Sequence, residues 1–144
     1  MKTGRRLAFD YGQVRIGVAV SDLSGLLASP VATLLSQDIS LPEQLLSLIN
    51  EYEPIYLVVG EPKHLSGASN PSLLAAQAFG ELLKSMTNLP IHFIDERMST
   101  VSAAKELRAA GHSAKSSKGR IDAMAATMIL ENALERERKV GHLD

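Results

Sequence analysis

Five carboxylates in this chain stand at the ends of apolar segments, where an acid is costly unless it has work to do. Asp10 interrupts the apolar run that begins Leu7-Ala-Phe. Glu61 follows Ile55-Tyr-Leu-Val-Val-Gly60, Asp95 and Glu96 follow Ile91-His-Phe-Ile94, and Asp122 opens a long alanine- and leucine-rich segment. Carboxylates brought together repel one another and resist desolvation. A divalent cation resolves both costs. With oxygen donors, no cysteine and no paired-histidine spacing, the set suits Mg²⁺ or Mn²⁺ better than zinc. Ions held this way activate water and stabilise the leaving oxygen in phosphodiester hydrolysis.

Each acid also has a plainer role open to it. Asp10 could pair with Arg15 or Arg97, and Glu96 with Arg97 at the surface. Asp95 could serve a turn, Asp122 could complement a helix N-terminus, and Glu61 could be a solvated loop acid. Joint placement is what favours the metal. Other groups offer less. The four histidines are scattered without ligand spacing. The Gly12-to-Gly17 spacing lacks the Lys-Ser/Thr that completes a phosphate loop. Aromatics make up 4% of the chain and do not interleave its basic stretch, which argues against a base-stacking platform.

The elements that must position these acids are legible from periodicity. Residues 5–11, 15–21 and 28–34 read as strands joined by short turns, an antiparallel meander. Ser40-Leu-Pro-Glu43 has the form of a capping box, a hydroxyl followed three residues on by a glutamate, and predicts a helix ending before Pro54. Residues 55–60 and 91–94 read as buried strands. A helix is expected from Pro71, a favourable first-turn proline, to near Thr87, another from Ser99 to Gly111, and a last one from about Arg120 to about Lys139, with 112–119 a Ser/Lys/Gly loop. The order β-β-β-α-β-α-β-α-α predicts an α/β fold with a mixed five-stranded sheet and helices on its faces. Strands four and five would run parallel to the first. Ligand sites gather at the carboxyl ends of such strands, so Asp10, Glu61, Asp95 and Glu96 should converge there with Asp122.

At 144 residues the chain is the size of one domain, here taken as 1–144, and long enough for a real core. With no cysteine, disulfides, thiolate metal sites and thiol nucleophiles are excluded, and a reducing compartment fits. The basic start Met1-Lys-Thr-Gly-Arg-Arg6 is followed by too short an apolar run for a secretory signal, and no stretch approaches the roughly 20 residues of a membrane span. A cytoplasmic protein is expected. Net charge is −1, but charge is unevenly spread: residues 22–61 carry six acids and no Lys or Arg, whereas 97–120 carry six bases and one acid. The basic stretch suggests a face for an anionic partner.

The residues are also familiar as a set. Leu7-Ala-Phe-Asp10-Tyr-Gly-Gln-Val-Arg-Ile-Gly-Val-Ala-Val-Ser-Asp22 resembles the signature of the YqgF/RuvX family, as do Val58-Val-Gly-Glu-Pro62, Asp95-Glu-Arg-Met-Ser-Thr100 and Ile121-Asp-Ala-Met-Ala-Ala126. The resemblance covers nearly the whole chain. It implies a ribonuclease H-like three-layer α/β/α fold, similar to that of the RuvC Holliday junction resolvase, and a nuclease acting on the 5′ end of pre-16S ribosomal RNA or on branched DNA. It implies that Asp10, Glu96 and Asp122 are the catalytic acids, with Asp95 beside them, and that Arg15 and Arg97 are basic positions near the site. The chain departs from the family pattern in one loop: Gly60-Glu61-Pro62 and His64-Leu-Ser-Gly67 replace Gly-Leu-Pro and Asn-Met-Asp-Gly. Related resolvases carry an acid after this strand, so Glu61 is expected to join the metal shell.

The combined expectation is a Mg²⁺- or Mn²⁺-dependent endonuclease. Asp10, Glu61, Asp95, Glu96 and Asp122 would hold metal, and Arg15, Arg97, Lys115, Lys118 and Arg120 would hold the nucleic-acid backbone, mostly without reading sequence. Ribosomal particles are a possible partner. Precursor RNA suits a monomer, whereas a four-way DNA junction, needing two symmetric cuts, favours a homodimer. A rival of another kind is a non-catalytic adaptor that binds nucleic acid or ribosomes. An actin-like or sugar-kinase ATPase would need a longer, two-lobed chain.

Overall fold

The computed structural model describes residues 1–62, 71–95, 114–141 and Leu143, with backbone alone over 114–121. The expected helix 99–111, the loop 63–70, Glu96 and Arg97 lie outside these residues. The five strands are β1 (Arg6–Tyr11), β2 (Arg15–Ser21), β3 (Ala28–Leu35), β4 (Tyr56–Glu61) and β5 (Ile91–Asp95). The described helices are α1 (Leu41–Tyr52), α2 (Pro71–Met86) and α3 (Ala114–Val140). The strands form one sheet in the order β3-β2-β1-β4-β5. The meander β1-β2-β3 is antiparallel, and β4 and β5 are parallel to β1, as the apolar pattern implied.

Alternation along β1 sorts its side chains between two layers. Leu7 and Phe9 join Leu57 and Val59 of β4 against Leu41 and Leu45 of α1 and Ala76, Phe79 and Leu83 of α2. Phe9 meets Phe79 edge-on at 5.4 Å between ring centroids. Ala8, with Val58 and Ile94, packs instead on Ala126, Ile129, Leu130 and Ala133 of α3. Each large side chain so buried contributes about 1.5–3 kcal/mol. The result is the expected α/β/α layering.

Two local expectations change. Ser40 stands at the N-cap of α1 but does not cap it. Its hydroxyl donates to Asp38 Oδ1 at 2.8 Å and accepts from Gln44 Nε2 at 2.8 Å, so Asp38 organises this turn. Hydrogen bonds from the Ser40 backbone N–H first, and then from its hydroxyl, hold the Asp38 carboxyl below its ordinary pKa. The second change is larger. Residues 114–119, read as loop from their Ser/Lys/Gly composition, are the first turns of α3. A glycine inside a helix costs about 1 kcal/mol relative to alanine, which the well-packed body of α3 outweighs. Asp122 is therefore in the third turn and does not serve a helix N-terminus.

Far from the acid-bearing edge, α3 is fastened to the sheet by a buried charge network. Arg6, fully buried, donates to Glu137 Oε2 at 3.1 Å and to the Lys2 carbonyl at 2.9 Å. The Tyr56 hydroxyl donates to Glu137 Oε1 at 2.8 Å. Burial first, then the hydrogen bond to Glu137 and that residue's charge, push the Tyr56 phenol well above its ordinary value. A raised phenol pKa favours the folded state below the unfolded value of about 10 and loses that contribution as pH climbs past it. Urea unfolding of the native chain should therefore show stability falling above about pH 10. Tyr56→Phe should lose about 1.5–3 kcal/mol at neutral pH, the worth of a hydrogen bond to a charged group. It should also flatten the alkaline fall. Some slope should remain from Tyr52, whose pKa desolvation also raises.

Candidate active site

Asp10 is the next-to-last residue of β1, half-buried, and alternation places it on the α3 face with Arg6 and Ala8. In the β1–β2 ladder its partner is Gly17. A glycine inside a strand often marks where another backbone comes close, and that is its use here. The α3 backbone lies so near Gly17 that a Cβ there would overlap the carbonyl of Asp122. The main chain of Asp122 thus rests on the residue one strand spacing, about 5 Å, from Asp10. This contact carries an acid from the far end of the sequence to the first strand.

The carboxylate of Asp122 is buried and paired. Arg15, at the start of β2 on the same face, donates from Nε to Asp122 Oδ2 at 3.1 Å. Sequence reasoning assigned Arg15 to phosphate and offered it as a partner for Asp10; the structure joins it to Asp122. Arg15 keeps about a third of its side chain exposed. The β1–β2 hairpin that carries it is closed by the Gly12 amide donating to the Arg15 carbonyl at 2.8 Å.

Glu61 reaches the same edge of the sheet but the opposite face. Continuing the β1–β4 register one step sets Asp10 beside Gly60, and Glu61 follows Leu57 and Val59 toward α2. There its Oε2 accepts a hydrogen bond from Gln77 Nε2 of α2 at 3.4 Å. The expected convergence of Glu61 with Asp10 is thus right about the edge and wrong about the side, because one residue of offset in a strand reverses its direction. Asp95, paired in register with Glu61, lines a hollow with Ile94 and with Asn132 and Arg136 of α3. Among the described residues no three His, Asp or Glu side chains are grouped to hold a metal. Lys115, Lys118 and Arg120 fall on the first two turns of α3. Glu96 and Arg97 lie outside the described residues.

The donors present suit a particular kind of ion. Asp10 and Asp122 would offer hard oxygen donors, and the main chain of Asp122 lies against the cross-strand partner of Asp10. Mg²⁺ is commonly bound through one or two carboxylates while keeping several waters and taking substrate phosphate oxygens. Three features here were missed from sequence: the helix contact at Gly17, the Arg6–Glu137–Tyr56 network, and the hollow at Asn132 and Arg136. Only the first left a local signal, a glycine amid Ile16, Val18 and Val20.

The family model RuvX: Holliday junction resolvase matches residues 4–136. A relative from Streptomyces avermitilis, named "Putative pre-16S rRNA nuclease", is 44% identical over 143 residues, covering 98% of this chain and 92% of its own. A relative of the same name from Streptomyces coelicolor is 45% identical over 143 residues, covering 98% and 86%. Among solved structures, Thermus thermophilus RuvC in complex with a Holliday junction aligns with a TM-score of 0.57 at 16% identity, covering 94% of this chain and 96% of that one. That likeness speaks for a ribonuclease H-like fold. No described helix is long and apolar enough to cross a membrane. With its signature residues, sheet order and nearly full-length relatives in agreement, the chain belongs to the RuvX family and is a nuclease.

Proposed function

We propose that this nuclease hydrolyses phosphodiester bonds at the 5′ end of precursor 16S ribosomal RNA, using Mg²⁺ or Mn²⁺ held by Asp10 and Asp122. The observation that carries the reading is the seating of Asp122 on Gly17, the cross-strand partner of Asp10. It gives two acids distant in sequence one place to act. Glu96, which the family motif matches to an acidic position, completes the set. Asp10 and Asp122 would hold the ion, whose chemistry there would be to acidify the attacking water and offset charge on the phosphate.

The protein's own groups do the rest. Arg15 orients the Asp122 carboxylate through Nε, and its exposed N–H groups reach a phosphate oxygen, for which the guanidinium fork is well shaped. Lys115, Lys118 and Arg120, with Arg97, hold the flanking backbone. Glu61 and Gln77 support the far side of the same edge. The substrate assignment rests on the names of the relatives, and the family description favours a second candidate, the four-way DNA junction.

Cleavage of a 5′-extended 16S precursor and of a four-way junction, each in Mg²⁺, in Mn²⁺ and in EDTA, separates the two. Precursor cleavage that stops in EDTA and exceeds junction cleavage by at least about tenfold, roughly 1.4 kcal/mol in barrier, is expected. A preference for the junction, with a dimer in sedimentation, would transfer the assignment to branched DNA.

A further inference from the structure

Asp10 and Arg15 flank the turn of the β1–β2 hairpin, and that turn lacks the backbone that would hold it by itself. Tyr11 pairs with Ile16, and the Gly12 amide donates to the Arg15 carbonyl, so Gln13 and Val14 make the bend. Two-residue hairpins favour positive φ in the bend, because that twist matches the flanking strands. Neither Gln13 nor Val14 has it. A bend of the other hand splays its strands and has to be held from outside.

Ser36 holds it. β3 ends at Leu35, the partner of Arg15, and Ser36 follows at the same end of the sheet as Asp10. The residue is buried, and a buried hydroxyl is costly unless hydrogen-bonded. Its hydroxyl donates to the Gly12 carbonyl, and its amide donates to the Val14 carbonyl at 2.9 Å. Ser36 thus grips the bend on both sides, just after the Asp10 strand and just before Arg15. Gln37 adds a longer contact from Nε2 to the Gln13 carbonyl at 3.5 Å. From Arg15 the connection runs on through Nε to Asp122 Oδ2 at 3.1 Å.

We propose that Ser36 is a positioning residue of the nuclease site: by gripping the bend it fixes the backbone from which Arg15 reaches Asp122. Its effect on cleavage rests on the reaction assigned above, whereas its effect on Arg15 does not. Ser36 touches neither acid and stands outside the motifs that carry them. Without the hydroxyl, the Gly12 carbonyl loses a buried donor and the bend is free to open. Arg15 is a long side chain anchored next to that bend, so a small change at its backbone grows toward Nε. A shift of about 1 Å among groups that position a reaction costs up to 10²-fold in rate.

In metal-free protein without RNA, the Arg15 Nε–H signal of a nitrogen–proton correlation spectrum, assigned by its absence in Arg15→Ala, reports the bond to Asp122. Ser36→Ala should speed exchange of that proton with water by about tenfold, the worth of one hydrogen bond, and move the signal toward that of a free arginine. Cleavage at saturating precursor RNA should fall by about tenfold as well. In the Arg15→Ala background the same substitution should cost no more than about twofold, because residues acting through one another are not additive. A folded Ser36→Ala protein with native exchange at Arg15 and native rate would overturn the proposal. So would losses that multiply in the double variant, since Ser36 would then act by another route. If the alanine variant does not fold, Ser36→Cys, close in shape but a weak donor, carries the same readouts. Release of the Arg15 signal in a chain that cuts no RNA defeats the assigned reaction and leaves the role of Ser36 standing.

Discussion

Replacing Asp10 by asparagine is expected to lower phosphodiester cleavage by about 10³-fold or more while leaving the fold as stable as before. On the proposed reading, the loss follows from removing one of the anionic ligands at a site whose ion would supply several kcal/mol of charge stabilisation, at about 1.4 kcal/mol per tenfold in rate. Stability should change little because Asn keeps the size of Asp and retains one of its oxygen acceptors. Asp122→Asn should lose activity to a similar degree. It also weakens the pairing with Arg15, but with Arg15 a third exposed that costs no more than about 1 kcal/mol. Glu61→Gln is the informative control. Its carboxylate bonds Gln77 on the α2 face, away from the side of the sheet that bears Asp10, so cleavage and Mn²⁺ affinity should change little. Single-turnover cleavage, Mn²⁺ titration and thermal unfolding together check all three. An Asp10→Asn protein that still cuts would end the proposed metal mechanism.

Gly17→Ala is expected to damage stability and activity together. The added methyl would meet the main chain of α3 at the Asp122 carbonyl and the Ala123 amide, neither of which can swing aside as a side chain would. Either α3 lifts from the sheet or β2 bends. Overpacking of this kind costs about 1–3 kcal/mol and at times more, and backbone against backbone belongs at the upper end. Displacing Asp122 by about 1 Å from Asp10 should cost a further 10²-fold in rate. Urea unfolding and cleavage under conditions where the variant remains folded separate the two effects. A Gly17→Ala protein with native stability and native rate would mean that α3 does not rest on β2 as described. Comparison with Gly80→Ala is useful. There the added methyl meets the Phe93 ring, a side chain with some freedom to turn, and the penalty should be smaller.

The sheet was readable in advance because its physics is local. Strands buried on one or both faces leave period-two or continuous apolar runs, and short turns between 5–11, 15–21 and 28–34 dictate antiparallel pairing. The parallel return of β4 and β5 follows from the helices between them. The edge of the sheet at which Asp10, Glu61 and Asp95 lie was readable for the same reason. Which face each acid occupies depends on register, and a single residue decides it: Gly60, not Glu61, lies beside Asp10. The start of α3 was misread because Ser, Lys and Gly compose loops and solvent-facing helix turns alike. Arg6 was passed over as one of several basic residues near the terminus, since its partner Glu137 lies 131 positions away.

That separation bears on when the protein becomes active during its own synthesis. The Arg6–Glu137 pair and the contact of Gly17 with Asp122 both span more than a hundred residues. Loop closure over such distances makes the last helix a late arrival in folding. A growing chain can pair β1, β2 and β3 as they emerge, yet it holds Asp10 without Asp122 until α3 has been made. On the proposed reading the site comes together only once α3 has been made, and a fragment ending before α3 carries the first acid without the second.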